Sequence, residues 1–261
     1  MKTVAIVGVG LIGGSFARAL RKAGFHGKII GVSSAETVRK ALTLGVIDVA
    51  LPLAEAAEAA DLVYLSQPIS QIIQTLDELE TDALITDAGS TKAVICERAA
   101  KLKRGRFVGG HPMAGKESRG VEHADADLFR GRPYVLTGHD PQLETWIERF
   151  GARLVIMDPI QHDRQVAFVS HLPQLLSTAL ASTLAGREQV AGPAAADLTR
   201  LALSPYDIWR DIFATNVEPI DAALGAFIAR LEEIRAQLWS SELEAVFSQA
   251  AASARALRRQ Q

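Results

Sequence analysis

The sequence predicts an α/β chain: a doubly wound, mainly parallel sheet in the first half, followed by an all-α second half. Three observations carry this. Short apolar runs alternate with stretches of helical composition from residue 4 to about residue 156. A glycine-rich turn joins the first run to the first helical stretch. After about Asp158 strand signals stop, and Ala, Leu and charged residues take over.

The strand-like runs are residues 4–7, 29–32, 61–65, 83–86, 106–109, 133–136 and 153–156. They are continuous rather than alternating in hydrophobicity, as strands buried on both faces must be. Helical stretches such as 16–23 and 34–44 separate them, and strand–helix alternation winds a parallel sheet. A boundary is expected near 157, dividing the chain into 1–157 and 158–261, with no Ser/Gly-rich linker. In the second half residues 167–185 read as helix. From Pro219 onward Ile220, Leu224, Phe227, Leu231, Ile234 and Leu238 recur at spacings of 4, 3, 4, 3 and 4. That is one stripe on a long helix, and Pro219 suits its first turn. Such a stripe packs against helices of its own domain or forms a subunit seam. A helical half with few aromatic residues makes a thin core alone, so a homodimer built through it is expected.

Lys plus Arg number 28 and Asp plus Glu 30, a formal net charge of −2. Without a basic excess to neutralise phosphates, no nucleic acid partner is expected. No apolar run approaches the ~18 residues of a membrane span, and the N-terminus enters its first apolar run without a signal-peptide pattern; no membrane is expected. One cysteine, Cys96, excludes an internal disulfide framework and any multi-cysteine metal site. By pattern Cys96 is a small filler within a helix. No His/Asp/Glu spacing resembles a metal site, and no G-x-S-x-G nucleophile turn is present. A reducing, cytoplasmic setting is the simplest expectation.

Gly8-Val9-Gly10-Leu11-Ile12-Gly13 is G-x-G-x-x-G between a strand and a helix, the Rossmann-type context in which this motif binds a dinucleotide. Gly8 allows the tight turn, Gly10 lets the backbone approach a pyrophosphate, and Gly13 lets helix and strand pack closely. The free N–H groups at the helix start, around Leu11 and Ile12, then face the anion. Residues 1–157 are therefore expected to be a dinucleotide-binding domain. The acidic residue expected about twenty positions further on, which would bind ribose hydroxyls, is missing. The second strand ends at Val32 and is followed by Ser33 and Ser34, with Arg39 and Lys40 along the next helix. NADP is expected in preference to NAD, or both are used.

Ligands of doubly wound folds bind beyond the carboxyl ends of strands. Three polar clusters lie there: Ser66-Gln67-Pro68, residues 87–92 from Asp87 through Ser90 to Lys92, and residues 109–115 around His111. Ser66 and Pro68 are candidate cofactor contacts. A histidine in a loop is more often inert than not. His111, flanked by glycines and followed by Pro112, gains weight as a candidate base from its position near a nicotinamide. His26, His123 and His139 have polar surroundings and are expected to face solvent. His162 and His171 lie in the helical half, His171 in an apolar setting that also suits a core histidine. Arg200 and Arg210 could read carboxylates, although Arg210 has Asp207 and Asp211 as ready partners.

These residues together resemble the prephenate/arogenate dehydrogenase family of tyrosine biosynthesis, over essentially the whole chain. The matching pieces are residues 8–15 (GVGLIGGS), 87–92 (DAGSTK), 109–115 (GGHPMAG), Glu117, 170–173 (SHLP), Thr199-Arg200 and Trp209-Arg210-Asp211. The resemblance implies that His111 is the catalytic histidine and Ser90 its hydrogen-bonding partner. It implies that His171 and Arg200 bind substrate, that Glu117 sits at the mouth of the site, and that 158–261 is the substrate and dimerisation domain. The sequence departs from the family at 192–196, Gly-Pro-Ala-Ala-Ala, where glycines and a basic residue are usual. With 261 residues, no added chorismate mutase or regulatory ACT domain is expected.

The implied reaction is oxidative decarboxylation of prephenate or arogenate to 4-hydroxyphenylpyruvate or tyrosine. Hydride passes from the ring carbinol carbon to nicotinamide as carbon dioxide leaves and the ring becomes aromatic. His111 takes the hydroxyl proton as general base, so the rate should rise with pH around the ordinary histidine value near ~6.5. A β-hydroxyacid-type dehydrogenase is the first alternative, but it uses a lysine in its helical domain, and lysines end here at Lys116. The second is a non-catalytic dinucleotide-sensing protein, which needs neither His111 nor Arg200.

Overall fold

The computed structural model describes residues 1–116 and 118–259. It divides into two compact units. The first is Met1–Asp163 with Ser204–Thr215, and the second is Arg164–Leu203 with the chain from Asn216 onward.

In the first unit, β1 (Thr3–Val7), β2 (Lys28–Val32), β3 (Val49–Ala50), β4 (Leu62–Leu65), β5 (Leu84–Asp87) and β6 (Arg106–Val108) form one sheet. Its order is β3-β2-β1-β4-β5-β6, and every pairing is parallel. The helices α1 (Leu11–Lys22), α2 (Ala35–Thr43), α3 (Leu53–Ala59), α4 (Ile69–Glu78) and α5 (Ala93–Ala99) connect the strands. Successive β1 side chains serve opposite faces: Val4 and Ile6 join a core with Phe16, Leu20 and Tyr64, while Ala5 and Val7 join one with Val63, Leu65 and Ile72. Both faces are covered, which explains the continuous apolar runs. The strand order reverses between β1 and β4, so a crevice opens beyond their carboxyl ends, the usual ligand position in this topology.

Two points differ from the expected single sheet. First, β3 is only two residues long and carries no sequence signal of its own. Second, β7 (Gly110–Pro112), β8 (Pro133–Leu136) and β9 (Arg153–Ile156) form a separate sheet. In it β7–β8 is antiparallel and β8–β9 parallel, with α6 (Pro141–Arg149) between β8 and β9. The run at 106–109 therefore does not end in a loop. At Gly109 the chain leaves the first sheet, held by Thr137, whose Oγ1 accepts the Gly109 N–H at 2.9 Å and whose N–H donates to the Gly109 carbonyl at 2.9 Å.

The division between units falls within α7 (Pro159–Val166), beyond the expected 157. The second unit starts with a π-helical turn, Ala167–His171, followed by α8 (Leu172–Leu184) and α9 (Pro193–Thr199). Pro173 explains the wide turn: it lacks an N–H, and its ring crowds the carbonyl four residues back. A 3-10 turn, Arg200–Leu203, packs on α8. There Gln174 Nε2 donates to the Leu201 carbonyl at 2.9 Å and the Ala202 N–H to Ser177 Oγ at 3.0 Å.

Helix α10 (Tyr206–Thr215) belongs to the first unit. The Ser70 N–H donates to Asp211 at 2.9 Å, Arg119 pairs with Asp207 at 2.8 Å, and Thr91 and Thr215 hydroxyls meet at 2.7 Å. Helices α11 (Val217–Ala236) and α12 (Leu243–Arg258) complete the second unit. On α11 the expected stripe grades outward. Ile220 is buried, Leu224, Phe227 and Ile234 are half-buried, and Leu231 is exposed. Leu238 lies just past the helix and is also exposed, beside a fully exposed Trp239. Among the described residues no single helix is long and apolar enough to cross a membrane.

Candidate active site

The glycine turn sits where β1 delivers the chain to α1. Gly8 has φ +94°, and a side chain there would lie 2.8 Å from the Ser66 backbone. A methyl group on Gly13 would collide with the Gly8 carbonyl and the Ser66 hydroxyl. Gly10, by contrast, has nothing within 4 Å of where its Cβ would stand. It N-caps α1 without a side-chain partner, and the first turn, beginning Leu11-Ile12, carries no acidic residue. Open space above one glycine, two tightly packed glycines beneath, and a helix start with no side-chain cap fit a pyrophosphate.

Ser66 braces this turn from beneath, its hydroxyl donating to the Gly8 carbonyl at 2.8 Å. Pro68 is exposed at the N-cap of α4. Ser33 is exposed after β2, and Ser34 caps α2, accepting the Thr37 N–H at 3.3 Å. Arg39 lies exposed in α2. Lys40 is taken up by Glu36 at 2.9 Å, which raises its ammonium pKa.

At the ends of β5 and β7 a buried clamp positions His111. Asp87 and Lys92, both without solvent exposure, form an ion pair. Asp87 also accepts the Gly89 N–H at 2.8 Å and the Gly110 N–H at 3.0 Å. Lys92 Nζ donates to the Gly110 carbonyl at 2.7 Å. A side chain at Gly110 would stand 2.5 Å from the Asp87 carbonyl, so only glycine lets β7 lie this close. His111, the next residue, is on a strand rather than in a loop, opposite Val135 of β8.

His111 is buried, and its Nδ1 lies 2.8 Å from Nε2 of His162. His162 is fully buried on α7, and its Nδ1 lies 2.7 Å from Asp163 Oδ1. Asp163 accepts the backbone N–H groups of Lys92 at 2.7 Å and Ala93 at 2.9 Å. The partner expected for His111 was Ser90. Ser90 is half-buried after β5 and makes no side-chain hydrogen bond among the described residues. The His162-Asp163 pair was missed because adjacent polar residues on a helix carry no spacing signal. Cys96, on α5, is mostly enclosed and burial pushes its thiol pKa up, in keeping with a filler role.

His171 and Arg200 belong to the second unit. His171 ends the π-helical turn, fully buried, with Asn216 Nδ2 3.1 Å from its Nδ1. Arg200 begins the 3-10 turn on α8 and is exposed. Arg210 donates to Asp211 at 3.3 Å, the ready partner expected for it. Glu117 lies outside the described residues. His26, His123 and His139 are exposed as expected. No group of three or more potential metal-ligating side chains occurs among the described residues.

A glycine turn at the switch point of a β3-β2-β1-β4-β5-β6 sheet, in a unit that also holds a buried histidine, fits a nucleotide-binding dehydrogenase of the Rossmann type. Residues 16–155 match the family model described as prephenate dehydrogenase, nucleotide-binding domain, and residues 158–250 match prephenate dehydrogenase, dimerization domain. The chain is 34% identical to the prephenate dehydrogenase of Lactococcus lactis, covering 94% of this chain and 74% of that one. It is similar to the crystal structure of Aquifex aeolicus prephenate dehydrogenase in complex with hydroxyphenyl propionate and NAD+. There the TM-score is 0.88, with 33% identity and coverage of 98% of both chains. Synechocystis arogenate dehydrogenase gives a TM-score of 0.84, with 28% identity over 98% of this chain and 99% of that one. The chain belongs to the prephenate dehydrogenase family. It is an NAD(P)-dependent oxidoreductase with prephenate/arogenate dehydrogenase activity, and it assembles as a homodimer through its helical half.

Proposed function

We propose that His111 is the general base of this oxidative decarboxylation and that NADP is the preferred cofactor. The observation that carries the first part is the placement of His111: buried, rigidly held by the Asp87–Lys92–Gly110 clamp, and engaged at Nδ1. Its Nε2 then accepts the proton of the substrate's ring hydroxyl. A bound nicotinamide supplies the hydride acceptor. Residues 8–13 hold its pyrophosphate, with Ser66 bracing the turn. Arg200 neutralises a substrate carboxylate through its planar guanidinium, and His171 also binds substrate. Ser90, in the loop after β5, is the partner that the family resemblance assigns to His111.

The driving force lies in the substrate, whose ring becomes aromatic as carbon dioxide departs. The protein then has two tasks, orienting the ring and taking the hydroxyl proton during hydride transfer, to give it back to that oxygen as carbon dioxide leaves and the phenol forms. Purified protein with prephenate or arogenate and either dinucleotide, followed at the reduced-nicotinamide absorbance, tests the proposal. His111→Ala should abolish the signal while leaving dinucleotide binding intact. Full turnover in that variant would remove His111 from the chemistry.

A further inference from the structure

We infer that His162 and Asp163 are positioning residues for His111, forming a buried chain that selects its tautomer and balances the charge it acquires. The inference rests on the assignment of His111 as the base, and it follows from the direction of the hydrogen bonds. Asp163 accepts two backbone N–H groups, from Lys92 and Ala93, and a carboxylate is acceptor-only. The 2.7 Å contact to His162 Nδ1 is then a bond donated by the His162 Nδ1–H. Neutral His162 therefore carries its lone pair on Nε2. The 2.8 Å contact from His111 is donated by the His111 Nδ1–H. The lone pair of His111 falls on Nε2, the nitrogen needed for proton removal. Each bond sets the next, and the series begins at two main-chain amides of α5.

The chain also acts on charge. When His111 takes a proton, an imidazolium forms at a site that is 7% exposed, against a ring that is 0% exposed. Charge in such surroundings is costly unless an opposite charge is near. Asp163, one imidazole away, supplies it. Among the described residues the neighbouring ionisable groups are paired or neutral. Asp87 and Lys92 offset each other as a buried ion pair. Burial pushes up the pKa of the Cys96 thiol on α5 and of the Tyr64 and Tyr134 phenols on β4 and β8, which keeps all three neutral.

His162→Gln and Asp163→Asn, compared with wild type and His111→Ala, test this. Glutamine keeps an acceptor oxygen near the Nε2 position but does not link His111 to the carboxylate. The rising limb of kcat against pH should move to lower pH by about one unit in Asp163→Asn, where the opposite charge is gone, and in the same direction but by less in His162→Gln, where the carboxylate stays but is no longer linked to His111. The plateau kcat should fall about tenfold, less than the roughly 10²–10⁴-fold for losing the base itself, with KM for the substrate unchanged. Nitrogen-15 NMR of the histidine rings in cofactor-free enzyme should show His111 protonated at Nδ1 in wild type, and its titration displaced downward in both variants. A purely structural role would lower the melting temperature without moving the limb. If Asp163→Asn does not fold, because its carboxylate also holds the start of α5, His162→Gln decides alone. A wild-type limb and NMR titration in His162→Gln, with His111→Ala inactive, would overturn this inference and leave the base intact. Full activity in His111→Ala would overturn both.

Discussion

Lys92, wholly enclosed, donates to the Gly110 carbonyl at 2.7 Å and so connects the loop after β5 to the strand that carries His111. The same ammonium neutralises Asp87, whose other oxygen accepts the Gly110 N–H at 3.0 Å. One residue, Gly110, is thus gripped on both its amide and its carbonyl, and His111 follows directly.

Lys92→Met should therefore destabilise the protein strongly, since Asp87 is left as a buried charge without its partner. Breaking such a pair costs about 3–5 kcal/mol, readable as a fall in the thermal midpoint. Adding Asp87→Asn to the same chain should recover part of the loss by removing the stranded charge. A midpoint unchanged in the single variant would show that the pair is not buried in solution.

His111→Ala should fold with a near-normal midpoint, because the backbone of β7 is fixed through Gly110 rather than through the ring. Turnover should fall roughly 10²–10⁴-fold, the contribution of a positioned base. Stopped assays at saturating substrate and cofactor measure this directly. A kcat within twofold of wild type would refute the assignment.

The dinucleotide half was legible because its signals are local. The glycine turn at 8–13, each continuous apolar run, and the missing carboxylate at Ser33 can each be read within a few consecutive residues. What escaped depends on contacts distant in sequence. The split between β6 and β7 falls inside one apolar run, and only Thr137, 28 residues further on, marks it. His162 was visible as a histidine but not as a partner of His111, because 51 residues separate them. The two family models meet between residues 155 and 158, close to the expected boundary, while Asp163 is tied back to Lys92 and Ala93 of the first compact unit.

Arg200→Ala should raise KM for the substrate far more than it lowers kcat. A carboxylate carries its charge in ground and transition states alike, so its partner contributes uniform binding. Steady-state kinetics with saturating cofactor separate the two constants, and an unchanged KM would make Arg200 a structural residue of its turn.

The stripe on α11 should lie at the subunit interface. Within one chain Leu231 is 49% exposed and Leu238 54%, while Ile220 at the other end of the stripe is 8% exposed. An apolar row that emerges from its own core calls for a second copy, and a two-fold contact presents the same row from both sides. Leu231→Glu should shift sedimentation toward monomer at micromolar concentration. A variant that sediments as wild type would place the contact elsewhere on the helical half.

Cofactor preference should follow the end of β2. A carboxylate there accepts from ribose hydroxyls and repels a 2′-phosphate; Ser33 stands in its place, exposed, so the repulsive element is absent and specificity often rests on such elements. Ser34 contributes less than its hydroxyl suggests, because its oxygen already accepts the Thr37 N–H to cap α2. Arg39 is exposed further along that helix, and Lys40 is engaged by Glu36. Ser33 is therefore the side chain whose change should matter most. Wild-type kcat/KM is expected to be higher with NADP than with NAD, or comparable. Ser33→Asp should turn the ratio toward NAD by introducing both the ribose acceptor and the repulsion. The ratio of kcat/KM for the two dinucleotides, measured in parent and variant at fixed saturating substrate, decides it. A tenfold or greater preference for NAD in the parent, or an unmoved ratio in the variant, would show that the end of β2 does not read the phosphate.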